Sequence, residues 1–317
     1  MSYGYPGPQR FGPGGGRPTL IMRLAPLLIM LLPAIALMAR GCQEGPFGRH
    51  QLVGMTPQEE SQLGTQAFRE VLQQNNGKLL RDDDPVSMRV REVGKRLNAA
   101  ANSPEFLKLT HLKPQSFQWE FKVVRENQLN AFCLPGGKVV VYTGILPVCL
   151  DDAGLATVMG HEIAHALAHH GAERMAQQQL VQLGQAAVAS SFGDLDPASQ
   201  QQLMTIITGV SKFGILLPFS RKHESEADKV GLYLMAIAGY DPHEAAEFWK
   251  RMQAAADKSG GQKPPEFMST HPGSDRRAAD LRAWSKDVMP LYEASAQQPG
   301  DRRLPPAGMG MANPLRR

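Results

Sequence analysis

The sequence predicts a mainly α-helical protein with a small β-sheet, an α+β fold, and three observations carry that expectation. Thr56-Pro57-Gln58-Glu59 and Asp241-Pro242-His243-Glu244 each have the capping-box order of a side-chain cap, proline at the first helical position and glutamate at the third, so each opens a helix. Leu129–Leu134 and Lys138–Tyr142 have strand composition and are joined across Pro135-Gly136-Gly137, a hairpin signal. Between the two capping boxes, His161-Glu162-Ile163-Ala164-His165 sits among the uncharged residues Val158, Met159, Ala166 and Leu167, as in a helix buried on all sides.

The 317 residues, 42% of them hydrophobic, suffice for one sizeable core with appendages or for two small domains. The formal charge of +4 is concentrated at the ends. Residues 1–50 hold Arg10, Arg17, Arg23, Arg40 and Arg49 against Glu44. Residues 300–317 hold Arg302, Arg303, Arg316 and Arg317 against Asp301, which leaves roughly −3 for the stretch between. Basic tails suit anionic lipid, and a body without a basic excess argues against nucleic acid as a partner. Three cysteines are too few for a disulfide framework. Cys133 and Cys149 flank the hairpin, either as one pair or as two small buried thiols.

Taken in order, residues 1–19 are rich in Gly, Pro and Tyr and are expected to be disordered. Residues 20–42 form the most hydrophobic segment, with no charge from Leu24 to Ala39 and with Arg23 and Arg40 as brackets. A spanning helix takes about 20 apolar residues. Leu20-Ile21-Met22 complete that length if Arg23 snorkels, although Pro26 and Pro33 kink it. Three readings compete: an uncleaved membrane anchor, a secretory signal, and a lipoprotein signal ending at Cys42, where Ala39 and Arg40 fit a lipobox poorly. In each, the basic N-terminus starts in the cytoplasm and the body lies on the extracytoplasmic, periplasmic side, with Arg40 and Arg49 opposing that orientation.

The folded body is expected over residues 55–290. Its first helix runs from Thr56 to about Gln74 and is ended by Asn75-Asn76-Gly77; a second covers Pro85–Ala101. Phe117–Val124 has strand composition, and the hairpin follows. Asp151 or Asp152 caps a long helix through His169 that extends to Ala187. Residues 191–201 form a polar break and 202–217 an apolar helical run. Another helix covers Ser220–Ala238, the second capping box opens one to about Ala256, and a short one lies near Asp275–Trp284. The tail, 295–317, is expected to be disordered, and no repeat of helical-hairpin length is present.

Residues i and i+4 of a helix share a face, so His161 and His165 can aim ring nitrogens at one ion. Zinc accepts such nitrogens at about 2.0–2.1 Å, and a catalytic site takes three protein ligands and leaves a position for water. Glu162, beside the first ligand, is placed to take a proton from that water and pass it to a leaving amine. The competing reading is two surface histidines one turn apart. A metzincin would continue with glycine at 168 and histidine at 171; Ala168 and Gly171 stand there instead and exclude that site.

Arg221-Lys222-His223-Glu224-Ser225-Glu226-Ala227-Asp228 offers a carboxylate as third ligand. Helical phase puts Glu224, Asp228, Gly231 and Met235 on one side, beside the apolar stripe Ala227, Val230, Leu234 and Ile237, and turns Lys222, Glu226 and Lys229 outward. Glu224 is therefore the expected third ligand. Asp228, one turn on, is placed to accept a hydrogen bond from a ligand imidazole, with a plain helix-surface carboxylate as its alternative. Glu226 is expected as a solvated surface charge, and His169 and His170 as structural or exposed.

These residues, with Asn130-Ala131-Phe132-Cys133-Leu134-Pro135-Gly136-Gly137 before them and Ser269-Thr270-His271-Pro272 after, resemble peptidase family M48, which includes the CAAX prenyl proteases, HtpX and the bacterial envelope proteases of the BepA and LoiP kind. The resemblance covers about residues 55–285. Val139-Val140-Val141-Tyr142-Thr143-Gly144-Ile145-Leu146 and Gly171-Ala172-Glu173-Arg174-Met175 are most similar to the soluble, periplasmic branch. A single hydrophobic segment does not match the multispanning branches, which argues against prenylated substrates. The resemblance implies a gluzincin zinc-peptidase fold with a small sheet above the active-site helix, and two active-site helices carrying HExxH and ExxxD. It also implies one zinc ion per chain. By the same resemblance His271 lies near the metal, as a catalytic group that stabilises an oxyanion or as an inhibitory fourth ligand, with a loop of ordinary surface residues as the alternative. Arg277 matches a basic position that pairs with a buried carboxylate or assists the site.

The expected function is that of a zinc metalloendopeptidase acting on polypeptide substrates, misfolded or misassembled envelope proteins, with the peptide extended along the edge of strand 129–134 or strand 138–142. Its rival is a chaperone-like assembly factor whose zinc is structural or masked by His271. Glu162 separates the two, because a structural site gains nothing from a carboxylate that is not a ligand. A third reading is a membrane protein whose segment 202–217 pairs with a partner.

Overall fold

A computed structural model of the chain describes residues 20–191, 220–257, 266–271 and 276–295. The expected disordered ends (1–19 and 296–317), the polar break after 191 and the apolar run 202–217 lie outside the described residues. Helix α1 (Leu20–Gly41) passes directly into an antiparallel hairpin of β1 (Cys42–Glu44) and β2 (His50–Leu52), joined through a 3₁₀ turn at Pro46–Gly48. The strands are three residues each, too short for a periodicity signal, and they precede Thr56, where the helical pattern begins. Among the described residues no helix is long and apolar enough to cross a membrane. On α1, Ile29, Leu32, Ile35 and Met38 recur at every third position as exposed side chains.

Helix α2 (Pro57–Gln74) begins as the capping box requires: the Thr56 hydroxyl accepts from the Glu59 N–H, and the Glu59 carboxylate accepts from the Thr56 N–H at 2.8 Å. Helix α3 (Pro85–Ala101) is capped by Asp84, and the short α4 (Pro104–Thr110), absent from the sequence reading, by Ser103. The three-stranded sheet has the order β3 (Glu120–Val124), β5 (Lys138–Tyr142), β4 (Ala131–Leu134). β5 pairs antiparallel with β4, as the hairpin signal implies, and parallel with β3. All five β5 residues are buried: Val139 and Val141 face the main core, while Val140 and Tyr142 meet Phe68 of α2. A strand covered on both faces reads as a continuous apolar run. Because β5 lies inside the sheet, only β4 remains of the two edges considered for a peptide.

After the short helix α5 (Leu146–Cys149), helix α6 (Asp152–Leu167) is capped by Asp151, whose carboxylate accepts from the Gly154 N–H at 2.9 Å. Every α6 residue except Ala166 is buried. Such a helix is apolar all round because it has neighbours all round. It packs on α3, α5 and β4, and most extensively on α8 (Arg221–Ile237). A Cβ added to Gly231 would stand 3.3 Å from the Gly160 carbonyl carbon and the His161 nitrogen, so glycine there lets the two helices approach. Leu155, Met159 and Ile163 of α6 and Leu232, Leu234 and Met235 of α8 are fully buried, each contributing about 1.5–3 kcal/mol.

The long helix expected through Ala187 is divided in two. His169 takes a left-handed φ of 55°, and α7 (His170–Ser191) starts one residue later. Histidine tolerates this conformation better than most residues, and the ring is tied down by Glu60 of α2 at 2.7 Å. Helix α9 (Glu244–Asp257) follows Asp241, whose carboxylate accepts from the His243 N–H at 2.9 Å. The short α10 (Glu266–Thr270) leads to His271, and α11 (Arg277–Ser295) continues well past Trp284 with Pro290 inside it. Cys133 and Cys149 are both free thiols, not a pair; of the two small buried thiols expected instead, Cys149 is buried and Cys133 half-buried.

Candidate metal centre

Two crossing helices and one loop bring four potential ligands together: His161 and His165 from α6, Glu224 from the first turn of α8, and His271 at the end of α10. His161 Nε2 lies 3.1 Å from His165 Nε2, 3.4 Å from Glu224 Oε2 and 3.3 Å from His271 Nδ1. Glu224 Oε1 lies 3.4 Å from His165 Nε2 and 3.0 Å from His271 Nδ1. The four ligand atoms all fall within 4.8 Å of one another, and all four residues are buried. Ligands placed tetrahedrally at zinc–nitrogen distance are about 3.3 Å apart. The observed spacings therefore fit the edges of one coordination polyhedron. Nε2 of His161 and Nε2 of His165, 3.1 Å apart, have the spacing of two ligands to one ion, and a set of imidazoles with one carboxylate suits zinc.

The surroundings favour positive charge at this point. Burial alone would raise the Glu224 carboxyl, but hydrogen bonds from His161, His165 and His271 outweigh it and hold the group well below the usual carboxylate range. Burial would likewise lower His161, yet its bonds to Asp228 and Glu224 prevail and bring it up to about 9. For His165 burial wins, and its imidazole is held well below the ordinary value. His161 Nδ1 meets Asp228 Oδ1 at 2.9 Å. Arg277 donates to Asp228 at 2.7 Å and to Glu224 at 3.0 Å. Its guanidinium lies 3.4 Å from the centre of the Trp249 ring. Of the two roles considered for Arg277, pairing with buried carboxylates is the one these distances describe.

Glu162 is also buried, and its Oε1 has no hydrogen-bond partner. That oxygen lies 3.3 Å from His271 Nε2, and burial, the largest influence, raises the carboxyl above its ordinary value. Among the described residues that oxygen has only the His271 ring in reach, so it remains available to a further donor in the site.

All seven sequence-predicted site residues, His161, Glu162, His165, Glu224, Asp228, His271 and Arg277, are buried in one place. One expectation beside them is corrected. Glu226 is not a solvated surface charge: its side chain is 10% exposed and bonds to Arg49 and His170. Of the two readings of His170, structural or exposed, the second is excluded, since the residue is wholly buried against His165. Helical phase turned Glu226 away from Glu224, but α7 and the β1–β2 hairpin cover that side too. The reading missed Trp249 and Phe267, whose rings stack 5.6 Å apart beside His161 and His271. The sequence signal for them is only that aromatic residues belong to apolar helix faces.

The sequence model of peptidase family M48 matches residues 88–285, a span that contains every residue of the metal cluster. The mitochondrial metalloendopeptidase OMA1 of Schizosaccharomyces pombe is 37% identical over 236 residues, which cover 74% of this chain and 64% of that protein. OMA1 of Saccharomyces cerevisiae is 31% identical, over 78% of this chain and 70% of its own length. The beta-barrel assembly-enhancing protease of Yersinia pestis is 32% identical, over 68% of this chain and 42% of its own length. Of the first of these relatives the chain spans just under two thirds, and of the last under half. The extent of these matches, over the helices that carry the four clustered ligands, shows that the chain belongs to peptidase family M48.

Proposed function

We propose that the chain is a zinc-dependent metalloendopeptidase. The carrying observation is the convergence of His161, His165 and Glu224 on one point, with the carboxylate of Glu162 buried beside it. In this reading those three residues hold one zinc ion. When bound, zinc supplies Lewis acidity, lowering the pKa of water and polarising a carbonyl. Glu162 accepts the proton of the attacking water and returns it to the leaving amine, a double role that suits a carboxyl raised by burial. Asp228 accepts from His161 Nδ1–H and so fixes the tautomer that keeps Nε2 for the metal, while Arg277 holds both carboxylates in place. Of the two roles for His271, its position 3.0 Å from Glu224 and 3.3 Å from His161 favours the fourth-ligand one, a closed resting arrangement that opens when His271 moves aside.

The substrate extends along β4, which among the described residues is paired on one side only, and adds main-chain hydrogen bonds there without demanding a side-chain sequence. Misfolded or misassembled envelope proteins are the substrate class, a reading favoured by the similarity to a beta-barrel assembly-enhancing protease. The segment 20–42 attaches the peptidase unit to a membrane on its extracytoplasmic face; the exposed apolar residues of α1 support this. His271 in the ligand cluster also favours a second reading, an assembly factor with little proteolysis. Casein degradation by wild type and Glu162→Gln tests the first. A loss of about 10²–10⁴-fold with zinc content unchanged is expected. Equal cleavage by both proteins overturns the role of Glu162. Zinc-loaded wild type and His271→Ala that both leave casein intact favour the assembly factor.

A further inference from the structure

The nitrogen of His165 that faces away from the ligand cluster meets a second imidazole. His165 Nδ1 lies 2.9 Å from His170 Nδ1, and His170 Nε2 lies 2.8 Å from Glu226 Oε2. Protons can be placed along this line by elimination. An ionised carboxylate only accepts, so the hydrogen between His170 and Glu226 is carried by His170 Nε2. A neutral His170 then has its lone pair at Nδ1 and accepts from His165 Nδ1–H. His165 is left with a lone pair on Nε2, the atom that faces His161 and Glu224.

The chain break before His170 makes this contact possible. In an uninterrupted helix, residue i+5 would sit about 140° round the axis from residue i. The left-handed His169 ends α6 and lets the first residue of α7 turn back towards it, so the rings of His165 and His170 meet edge to face with centroids 4.9 Å apart.

Glu226 is held in turn by Arg49, from the hairpin that follows α1. Arg49 Nε donates to Glu226 Oε1 at 2.9 Å, and its Nη2 to Glu226 Oε2 at 2.9 Å and Glu173 Oε2 at 2.8 Å. Nη1 reaches Glu173 Oε1 at 2.9 Å, so one guanidinium bridges α7 and α8. Glu173 also pairs with His223 Nε2 at 3.1 Å, and the His223 ring stacks on His170 with centroids 4.4 Å apart. Each member is held by at least one other, as a group that must fix a ring orientation requires.

We infer that His170 is a positioning residue for the metal ligand His165, with Glu226 setting its tautomer and Arg49 locking Glu226, so that the hairpin 42–52 is part of the metal centre. This rests on the reading of His161, His165 and Glu224 as zinc ligands. Behind a ligand histidine such partners fix orientation, and their loss weakens metal binding by about 10–100-fold.

The test uses the full chain and two readouts other than proteolysis: zinc affinity by chelator competition, and the visible spectrum of the cobalt(II)-substituted protein. His170→Phe, which offers no acceptor to His165, is expected to bind zinc about 10–100-fold more weakly and to change the cobalt spectrum. His170→Asn, which keeps an amide oxygen near the place of Nδ1, is expected to recover part of that loss. Arg49→Met is expected to show a smaller loss, below about tenfold. His170→Phe with wild-type zinc affinity and an unchanged cobalt spectrum overturns the proposal. If His170→Phe gives no cooperative melt, wild-type affinity in both His170→Asn and Arg49→Met overturns it instead, and a loss in either supports it. A wild-type protein that binds no zinc defeats the metal-site reading itself, an outcome distinct from failure of the His170 role.

Discussion

The two histidines of α6 face the same point but are backed differently. Behind His161 stands a charged pair, Asp228 and Arg277, on helices α8 and α11 that also carry or touch Glu224. Behind His165 stands a neutral imidazole, His170, whose own support comes from Glu226 and, at the far end, from Arg49 in the hairpin. The first arrangement is compact, and each member is nearly fully buried. The second is a relay with a partly exposed end, since the Arg49 side chain is 27% exposed. A direct buried pair concentrates free energy in two side chains. A relay spreads it and extends the influence of the metal centre to a distant segment.

The difference can be broken at either end. Asp228→Ala leaves Arg277 as a buried charge with one carboxylate fewer, so a loss of about 3–5 kcal/mol is expected in denaturant unfolding. A loss below about 1 kcal/mol would mean that the pair on the His161 side is not the stronger support. Arg49→Met removes charge-assisted hydrogen bonds at a site that water can partly reach, and roughly 2 kcal/mol is expected. A cost for Arg49→Met equal to that for Asp228→Ala would erase the contrast.

Acid should distinguish the two sides further. Burial would raise the Glu173 carboxyl, but hydrogen bonds from His223 and Arg49 outweigh it and hold it below the ordinary 4.5. A depressed carboxylate contributes stability that is complete above its unfolded value and is lost as the pH falls through the folded one. Glu173→Gln is therefore expected to cost about 1.5 kcal/mol at neutral pH, with the gap from wild type closing as the pH falls below about 4.5 in thermal melts. A gap that stays constant to pH 3 would show that Glu173 is not held by charge. The smallest effect is a control remote from both histidines: Thr56→Ala removes the α2 cap and should cost about 1 kcal/mol while leaving zinc content unchanged. Lost zinc in that variant would mean that metal binding follows global stability rather than the partners behind each histidine.

The same contrast explains how much of the molecule was legible in sequence. The His161 side could be read because its residues obey local rules: His161 and His165 are one turn apart, and Glu224 and Asp228 are one turn apart on a helix whose apolar stripe sets its phase. The strands of the hairpin were legible for the same reason. On the His165 side, periodicity has nothing to say about a residue one position past a break, and no Gly or Pro marks the break at Ala168 and His169. Glu226 reads as solvated because phase shows which side of a helix a residue occupies, not whether another segment covers that side. Arg49 lies in the connection between two strands too short to show alternation. The interior place of β5 likewise depends on the parallel pairing with β3, a non-local contact that a hairpin signal cannot contain.

The most direct test of the central claim is crystallographic: anomalous difference maps of the purified chain collected on both sides of the zinc absorption edge. One peak is expected per chain, about 2.0–2.2 Å from His161 Nε2, His165 Nε2 and a carboxylate oxygen of Glu224, with Glu162 nearby and unliganded. A zinc peak on other residues, or no peak at these three from zinc-replete protein, would contradict the account.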